Sequence, residues 1–402
     1  MGIIARQSVI NSISTYIGIG IGAIYTIFLV PKIFYHNPDE WGLVQIVISY
    51  VQILLPFSLL GIPNIFVKYW PVYQGKQKDD FIILLIALAF TGLIIVSVIF
   101  LFLGKIILLP DSSSNKLFEE YFYYIFLILL LQVFFYFFLS YARNLFLTVI
   151  PTALKDTFIK LWTFGTLFIY WQFDISYIAF FHLYILGYIL QLGLIVSFLM
   201  SNGLIKIPKV HSFISKVQIK ELLKYGFYSI LGSGAAIIAI KLDIIMVGKL
   251  MGLEQVAYYA TATFFITFLQ VPLRSISTIT VPIIAKLWND KELKNLKYLY
   301  KKTSIHLLLS SGFIFLMIFI NVDAVMIILG EKFGQVKFVI IILSIAKLYE
   351  IVNALNTNII LISKYYKIDI VFQVFLLILT VFTNILLIPK FGMEGAAFAT
   401  AI

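Results

Sequence analysis

The sequence contains no cysteine, and charged side chains make up only 12% of its 402 residues. The first absence excludes disulfides, iron–sulfur clusters and thiolate zinc sites. The second excludes a soluble enzyme and a disordered chain, since an ordinary soluble domain is roughly a quarter charged. There is no Walker motif. The nearest thing to a glycine-rich phosphate loop, Gly18-x-Gly20-x-Gly22, lies inside an apolar run with no strand before it. The protein is therefore not expected to hydrolyse ATP. The four histidines, His36, His182, His211 and His306, share no ligand spacing, so neither a metal nor another cofactor is expected. No loop is long enough to fold as a domain, which argues against a membrane glycosyltransferase, polymerase or ligase.

What the chain has in abundance is apolar surface. Apolar residues make up 61%, with 38 Phe and 24 Tyr, and the mean hydropathy is +1.02. Crossing a hydrocarbon core of roughly 30 Å takes about 20 apolar residues. Such stretches recur at 9–34, 42–67, 81–109, 118–141, 151–171, 177–200, 225–249, 256–283, 303–329, 338–362 and 368–388. A twelfth begins at Gly395 and is cut short at Ile402. The expected fold class is all-α: a polytopic membrane protein of eleven complete helices and a truncated twelfth. Its N-terminal apolar run is too long for a cleavable signal peptide.

Eighteen of the thirty Lys and Arg fall in one set of alternate loops and seven in the other. The positive-inside rule then puts the N-terminus in the cytoplasm. The net charge of +11 follows largely from topology, and nucleic acid is not an expected partner. In the longest loop, Ser201 to Lys224, the stretch from Ser215 reads equally well as an interfacial amphipathic helix or as a plain basic connector.

That loop also separates two halves that resemble each other at an offset of about 215 residues. Gly18-x-Gly20 matches Gly232-x-Gly234, Asp39-Glu-Trp-Gly matches Glu254-Gln-Val-Ala, and Pro56 falls beside the counterpart of Pro272. Gly75-Lys-Gln-Lys-Asp-Asp matches Asp290-Lys-Glu-Leu-Lys-Asn. Six spans separate equivalents, so both copies share one orientation about a pseudo-two-fold axis along the membrane normal. Pro56 and Pro63, with Pro272 and Pro282, read as paired hinges or as tolerated kinks.

Eight charges fall inside spans: Lys155, Asp156, Lys160, Lys241, Asp243, Arg274, Lys347 and Glu350. At about 3 kcal/mol each they would cost roughly 24 kcal/mol facing lipid, so they must pair, snorkel or face a polar cavity. Asp156 with Lys160 and Lys347 with Glu350 have helical pair spacing. Lys241 and Asp243, two apart, point to different sides. Lys160, Lys241, Arg274 and Lys347 are the candidates for a cationic cavity that attracts a phosphate or pyrophosphate. Asp243 and Glu350 are the only deep carboxylates available to carry a coupling ion. Structural ion pairs are the competing explanation for all of them.

Three stretches carry a family resemblance: Arg6-Gln-Ser-Val-Ile-Asn-Ser, Leu242-Asp-Ile-Ile-Met-Val-Gly-Lys-Leu-Met-Gly with Ala257-Tyr-Tyr-Ala, and Lys390-Phe-Gly-Met-Glu-Gly-Ala-Ala-Phe-Ala-Thr. The chain resembles the bacterial polysaccharide-biosynthesis membrane proteins, the O-antigen and lipid-linked oligosaccharide flippases. These belong to the multidrug/oligosaccharidyl-lipid/polysaccharide (MOP) exporter superfamily. The resemblance implies two six-helix lobes around a cationic central cavity, at 1–205 and 225–402 with a basic linker at 206–224. It implies movement of an undecaprenyl-pyrophosphate-linked glycan across the bacterial inner membrane by alternating access. Membrane lipids and other glycan-assembly proteins are the further partners expected. The rival within the same architecture is a MATE-like antiporter of organic cations, which would want carboxylates in its lumen. A non-catalytic scaffold in a glycan-assembly complex has no sequence signature that sets it apart.

Overall fold

The computed structural model describes residues 3–73, 77–108, 115–204, 216–363 and 366–402, and among them there are helices and no strand. The order is α1 (Ile3–Ile24), a π-helical turn Tyr25–Leu29, α2 (Val30–Ile33), α3 (Pro38–Ser58), α4 (Ile62–Tyr69), α5 (Gln77–Leu108) and α6 (Asn115–Tyr121). Then come α7 (Tyr124–Asn144), α8 (Val149–Ala153), a second π turn Leu154–Phe158, α9 (Ile159–Phe173), α10 (Tyr177–Ser201) and α11 (Lys216–Met251). The chain continues with α12 (Leu253–Leu269), α13 (Val271–Asn289), α14 (Leu293–Ile320), α15 (Val322–Phe333), α16 (Lys337–Ile362) and α17 (Tyr366–Ala401).

Eight helical stretches among the described residues are long and apolar enough to span a membrane, or nine if α12 and the start of α13, bent by 43°, count as one. The expected eleven complete spans are not reached by this measure. The two left out, 151–171 and 225–249, are those carrying Lys155, Asp156 and Lys160, and Lys241 and Asp243. In 151–171 the three charges break up the apolar signal; in 225–249 several side chains lie outside the described residues. The stretch expected to open a twelfth helix at Gly395 follows a break in α17 at Gly392, where φ is +61°. Residues 216–224 are neither a separate interfacial helix nor a loose connector: they are the first turns of α11. The preceding 205–215 lie outside the described residues.

The chain divides into two compact units by its internal contacts. Unit 1 comprises Met1–Tyr25, Val47–Leu109 and Asn115–Lys241; unit 2 comprises Thr26–Ile46, Pro110–Ser114 and Leu242–Ile402. This grouping does not follow the expected linker at 206–224. One reason is visible at Gly42, where a Cβ would stand 1.9 Å from the carbonyl oxygen of Leu253. The start of α3 thus packs backbone to backbone on the start of α12, and only glycine permits it.

Unit 1 has an apolar core of Phe135, Leu139, Ala142, Leu154, Ile195 and Leu199. A seam of polar side chains holds α1 against α8 and the second π turn. Asn11 donates to Thr148 Oγ1 at 3.0 Å, Ser14 lies 2.7 Å from Thr157 Oγ1, and Thr15 donates to Asp156 Oδ2 at 2.9 Å. A π turn disrupts regular backbone pairing, and the Leu154 carbonyl finds its donor in Gln191 Nε2 at 2.9 Å. Gln132 in turn donates to Gln191 Oε1 at 2.9 Å. Unit 2 is built on Leu269, Ile284, Leu296, Leu307, Ile351 and Leu355.

Both halves break their second span. In unit 1 the break between α3 and α4 passes through Leu60 and Gly61, both at positive φ, and in unit 2 it falls at Gln270. Pro63 and Pro272 sit in the first turn of the helix that follows, where a missing N–H costs nothing. Pro56 and Pro282 lie inside helices.

Candidate functional site

A cavity of about 440 Å³ opens inside unit 1. Helix α7 contributes Tyr136, Leu139, Ser140 and Arg143, whose spacing of three, four and seven residues puts them on one face. Helix α3 contributes Gln52, Leu55 and Pro56, and the break with the start of α4 adds Leu59, Gly61, Pro63 and Asn64. Helix α11 closes the wall with Ile230, Ile237 and Lys241, again one face. Gly61 has φ +74°, and a Cβ there would stand 2.6 Å from Gly226 Cα of α11. The broken span is therefore gripped at the cavity wall. Pro56 has no N–H to give the Gln52 carbonyl, so the cavity wall carries a backbone acceptor outside the helical ladder.

The electrostatics of this cavity are one-sided. Arg143 and Lys241 line it, Gln52, Asn64, Ser140 and Tyr136 add neutral polar groups, and among the described lining residues none is acidic. A guanidinium, an ammonium and two amides make a donor set suited to a phosphate-bearing group.

Of the residues singled out from sequence, Lys241, Pro56 and Pro63 converge here. Lys160 lies half-buried on α9, outside the lining. Arg274 is exposed on α13 in unit 2, with Nη2 3.5 Å from Gln270 Oε1. Lys347 is held by Glu350 through two bonds of 2.8 and 2.7 Å from its Nζ, so its charge is balanced locally. Glu350, expected to be deep, has a side chain 63% exposed. The sequence reading missed Arg143 as a site residue, counting it with the loops. Its place seven residues after Tyr136 was the available signal.

Asp243 occupies a different environment, buried in unit 2 at 4% exposure. Its Oδ1 accepts from Asn384 Nδ2 at 2.7 Å, and its Oδ2 accepts from Thr400 and, at 3.4 Å, from Tyr259. Asn384 is fully buried, and its own Oδ1 has no hydrogen-bond partner. Three oxygen-bearing side chains from α12 and α17 thus surround one carboxylate of α11, with one acceptor left over. No group of three or more His, Cys, Asp or Glu that could hold a metal ion is found among the described residues.

The family model described as polysaccharide biosynthesis protein matches residues 4–288. The chain belongs to that family. Among curated relatives, the capsular polysaccharide biosynthesis protein CapF of Staphylococcus aureus is 27% identical over 163 residues, 39% of this chain and 40% of CapF. The uncharacterized membrane protein MJ1068 of Methanocaldococcus jannaschii is 27% identical over 204 residues, 48% of this chain and 39% of its own length. The chain thus spans about two fifths of the length of these curated relatives. Among solved structures, an inward-facing multidrug resistance MATE family transporter of the MOP superfamily matches with a TM-score of 0.78 at 12% identity, over 96% of this chain and 94% of that one. The lipid II flippase MurJ, in an inward closed conformation, matches with 0.75 at 13% identity, over 99% and 84%. At such identities the likeness is one of fold. This family member is a multi-pass membrane protein that shares its fold with a MATE family transporter and the lipid II flippase MurJ.

Proposed function

We propose that the protein is a flippase for a lipid-linked oligosaccharide, the repeat unit of an O-antigen, capsule or exopolysaccharide, in the bacterial inner membrane. The observation that carries this is the unit 1 cavity, whose described lining holds two cations and no acid. Arg143 and Lys241 hold the diphosphate that joins glycan to undecaprenyl lipid, and Gln52 and Asn64 contact the first sugar. The volume lies within the roughly 300–1,000 Å³ of small-molecule sites, so the prenyl tail stays in lipid. Family membership, the capsular relative and the flippase fold support the same direction. Lys160 and Arg274 are secondary contacts for the anionic glycan on its way across, and Lys347, paired with Glu350, takes no part.

Transport proceeds by alternating access and is coupled to a proton or monovalent cation at Asp243. The buried carboxylate and the spare Asn384 acceptor support that role. Glu350, exposed and paired, is the weaker candidate. The N-terminus faces the cytoplasm, as the lysine distribution supports.

The second reading is a MATE-like antiporter of organic cations, favoured by the MATE fold match. A cavity lined by cations disfavours it, because the substrate would share their sign. Vesicles carrying the protein, loaded with a labelled undecaprenyl-diphosphate oligosaccharide in one leaflet and tested in parallel with a fluorescent organic cation, separate the two. Glycolipid crossing without cation uptake is expected; cation uptake without glycolipid crossing would overturn the proposal.

A further inference from the structure

Helix α14 has 28 residues, about 42 Å at 1.5 Å per residue, against a hydrocarbon core of roughly 30 Å. About eight residues must therefore extend beyond the core. They are the N-terminal ones, because Ile305–Ile320 contains no charge while Lys294, Lys297, Lys301 and Lys302 crowd the first turns. Lys286 at the end of α13 and Lys291 in the turn join them, and all six lysines are exposed. Only two acids, Asp290 and Glu292, lie between Lys286 and Lys302, and Glu292 is engaged by Asn295 Nδ2 at 2.6 Å.

The apolar pattern fixes which way these lysines point. Leu296 and Leu307 are buried in the unit 2 core, and Leu299 and Tyr300 pack against it. Lys294, Lys297 and Lys301, at i, i+3 and i+7, share an outward face. Beside them Tyr298 is 67% exposed, with Lys302 Nζ 5.9 Å from its ring centroid, and Leu293 is 61% exposed. Ammonium groups at headgroup level, flanked by an exposed tyrosine and leucine, match the layered chemistry of a lipid surface. The equivalent corner of the first half does not share this design. Gly75–Asp80 carries two lysines and two aspartates, and its apolar run opens at once with Phe81.

We propose that the lysine face of α14 binds anionic phospholipid headgroups, anchoring the α13–α14 corner to the membrane surface independently of any transported substrate. The test uses the full chain purified in a neutral detergent and titrated with fluorescent phosphatidylglycerol, with phosphatidylcholine as reference. The variant K294Q/K297Q/K301Q should bind phosphatidylglycerol about tenfold or more weakly. K32Q/K116Q/K390Q removes three exposed lysines elsewhere and should bind as the unaltered protein does. For the unaltered protein, the preference over phosphatidylcholine should fall as salt rises, because exposed charges are screened. An equal loss in both variants, a preference indifferent to salt, or competition by free glycerol phosphate as strong as by the lipid would each overturn the proposal.

Discussion

Replacing Asp243 tests the unit 2 network, because the structure specifies what each substitution leaves behind. In Asp243→Ala, the Asn384 amide loses its acceptor inside a fully buried site. Thr400 falls back on the Ala396 carbonyl, already 3.2 Å away, and Tyr259 loses only a long contact of 3.4 Å. The cost is therefore dominated by one charge-assisted bond, about 2–3 kcal/mol. At roughly 2 °C per kcal/mol for a large chain, unfolding in detergent should fall by about 4–6 °C. Asp243→Asn keeps the shape, since an amide oxygen accepts from Asn384 and the hydroxyls can turn, so it should fall by less than half of that. If a monovalent cation binds at Asp243 and Asn384, raising its concentration to 100 times the dissociation constant stabilises the native protein by about 2.7 kcal/mol. That is about 5 °C by the same conversion, and it should vanish in Asp243→Asn. Tryptophan fluorescence against temperature, with and without sodium or lithium at fixed ionic strength, reads both effects. An Asp243→Ala protein that unfolds with the unaltered one refutes the network reasoning. A cation response surviving in Asp243→Asn refutes the coupling role.

Other expectations follow from local geometry. Gly61→Ala places a Cβ 2.6 Å from Gly226 backbone at a left-handed φ, costing about 1–2 kcal/mol for the dihedral alone; thermal unfolding should show at least that loss, whereas Gly20→Ala, with no atom within 4 Å of its Cβ, should be neutral or better. Gln191→Leu removes the donor to the Leu154 carbonyl and the acceptor for Gln132, so a destabilisation of about 1–3 kcal/mol is expected, read in the same assay. Lys347→Met alone should alter glycolipid transport little, and the Lys347→Met/Glu350→Leu protein should match it; a complete loss of transport in the single variant would restore Lys347 to the site.

Much of the fold is written in the apolar runs, because a membrane helix must satisfy its backbone within itself and so leaves a long local signal. The breaks are also legible: Pro63 and Pro272 mark the places where the second span of each half restarts. Lys347 and Glu350 pair as their three-residue spacing implies. Less legible is anything that depends on three-dimensional convergence. Arg143 ends a helix like any interfacial arginine, and only the cavity that α3, α4, α7 and α11 line together brings it into one wall set with Lys241. Asn384 and Thr400 lie 141 and 157 residues from Asp243, so no spacing could have joined them. Lys160 and Arg274 carry the same sequence signature as Lys241 yet stand outside the cavity, since a charge within an apolar run reports a need for compensation and not its form.

The central claim is that Arg143 and Lys241 bind a diphosphate inside unit 1, and the most direct measurement is affinity for a short-chain prenyl-diphosphate disaccharide by the purified protein and its variants. Arg143→Gln and Lys241→Met should each weaken binding by about tenfold to a hundredfold, as expected for loss of a charge-assisted bond of about 1.5–3 kcal/mol. Arg143→Lys should retain part of the affinity, and Arg274→Gln should retain nearly all of it. Unchanged affinity in the Arg143→Gln/Lys241→Met double variant would contradict the account and move the substrate out of this cavity.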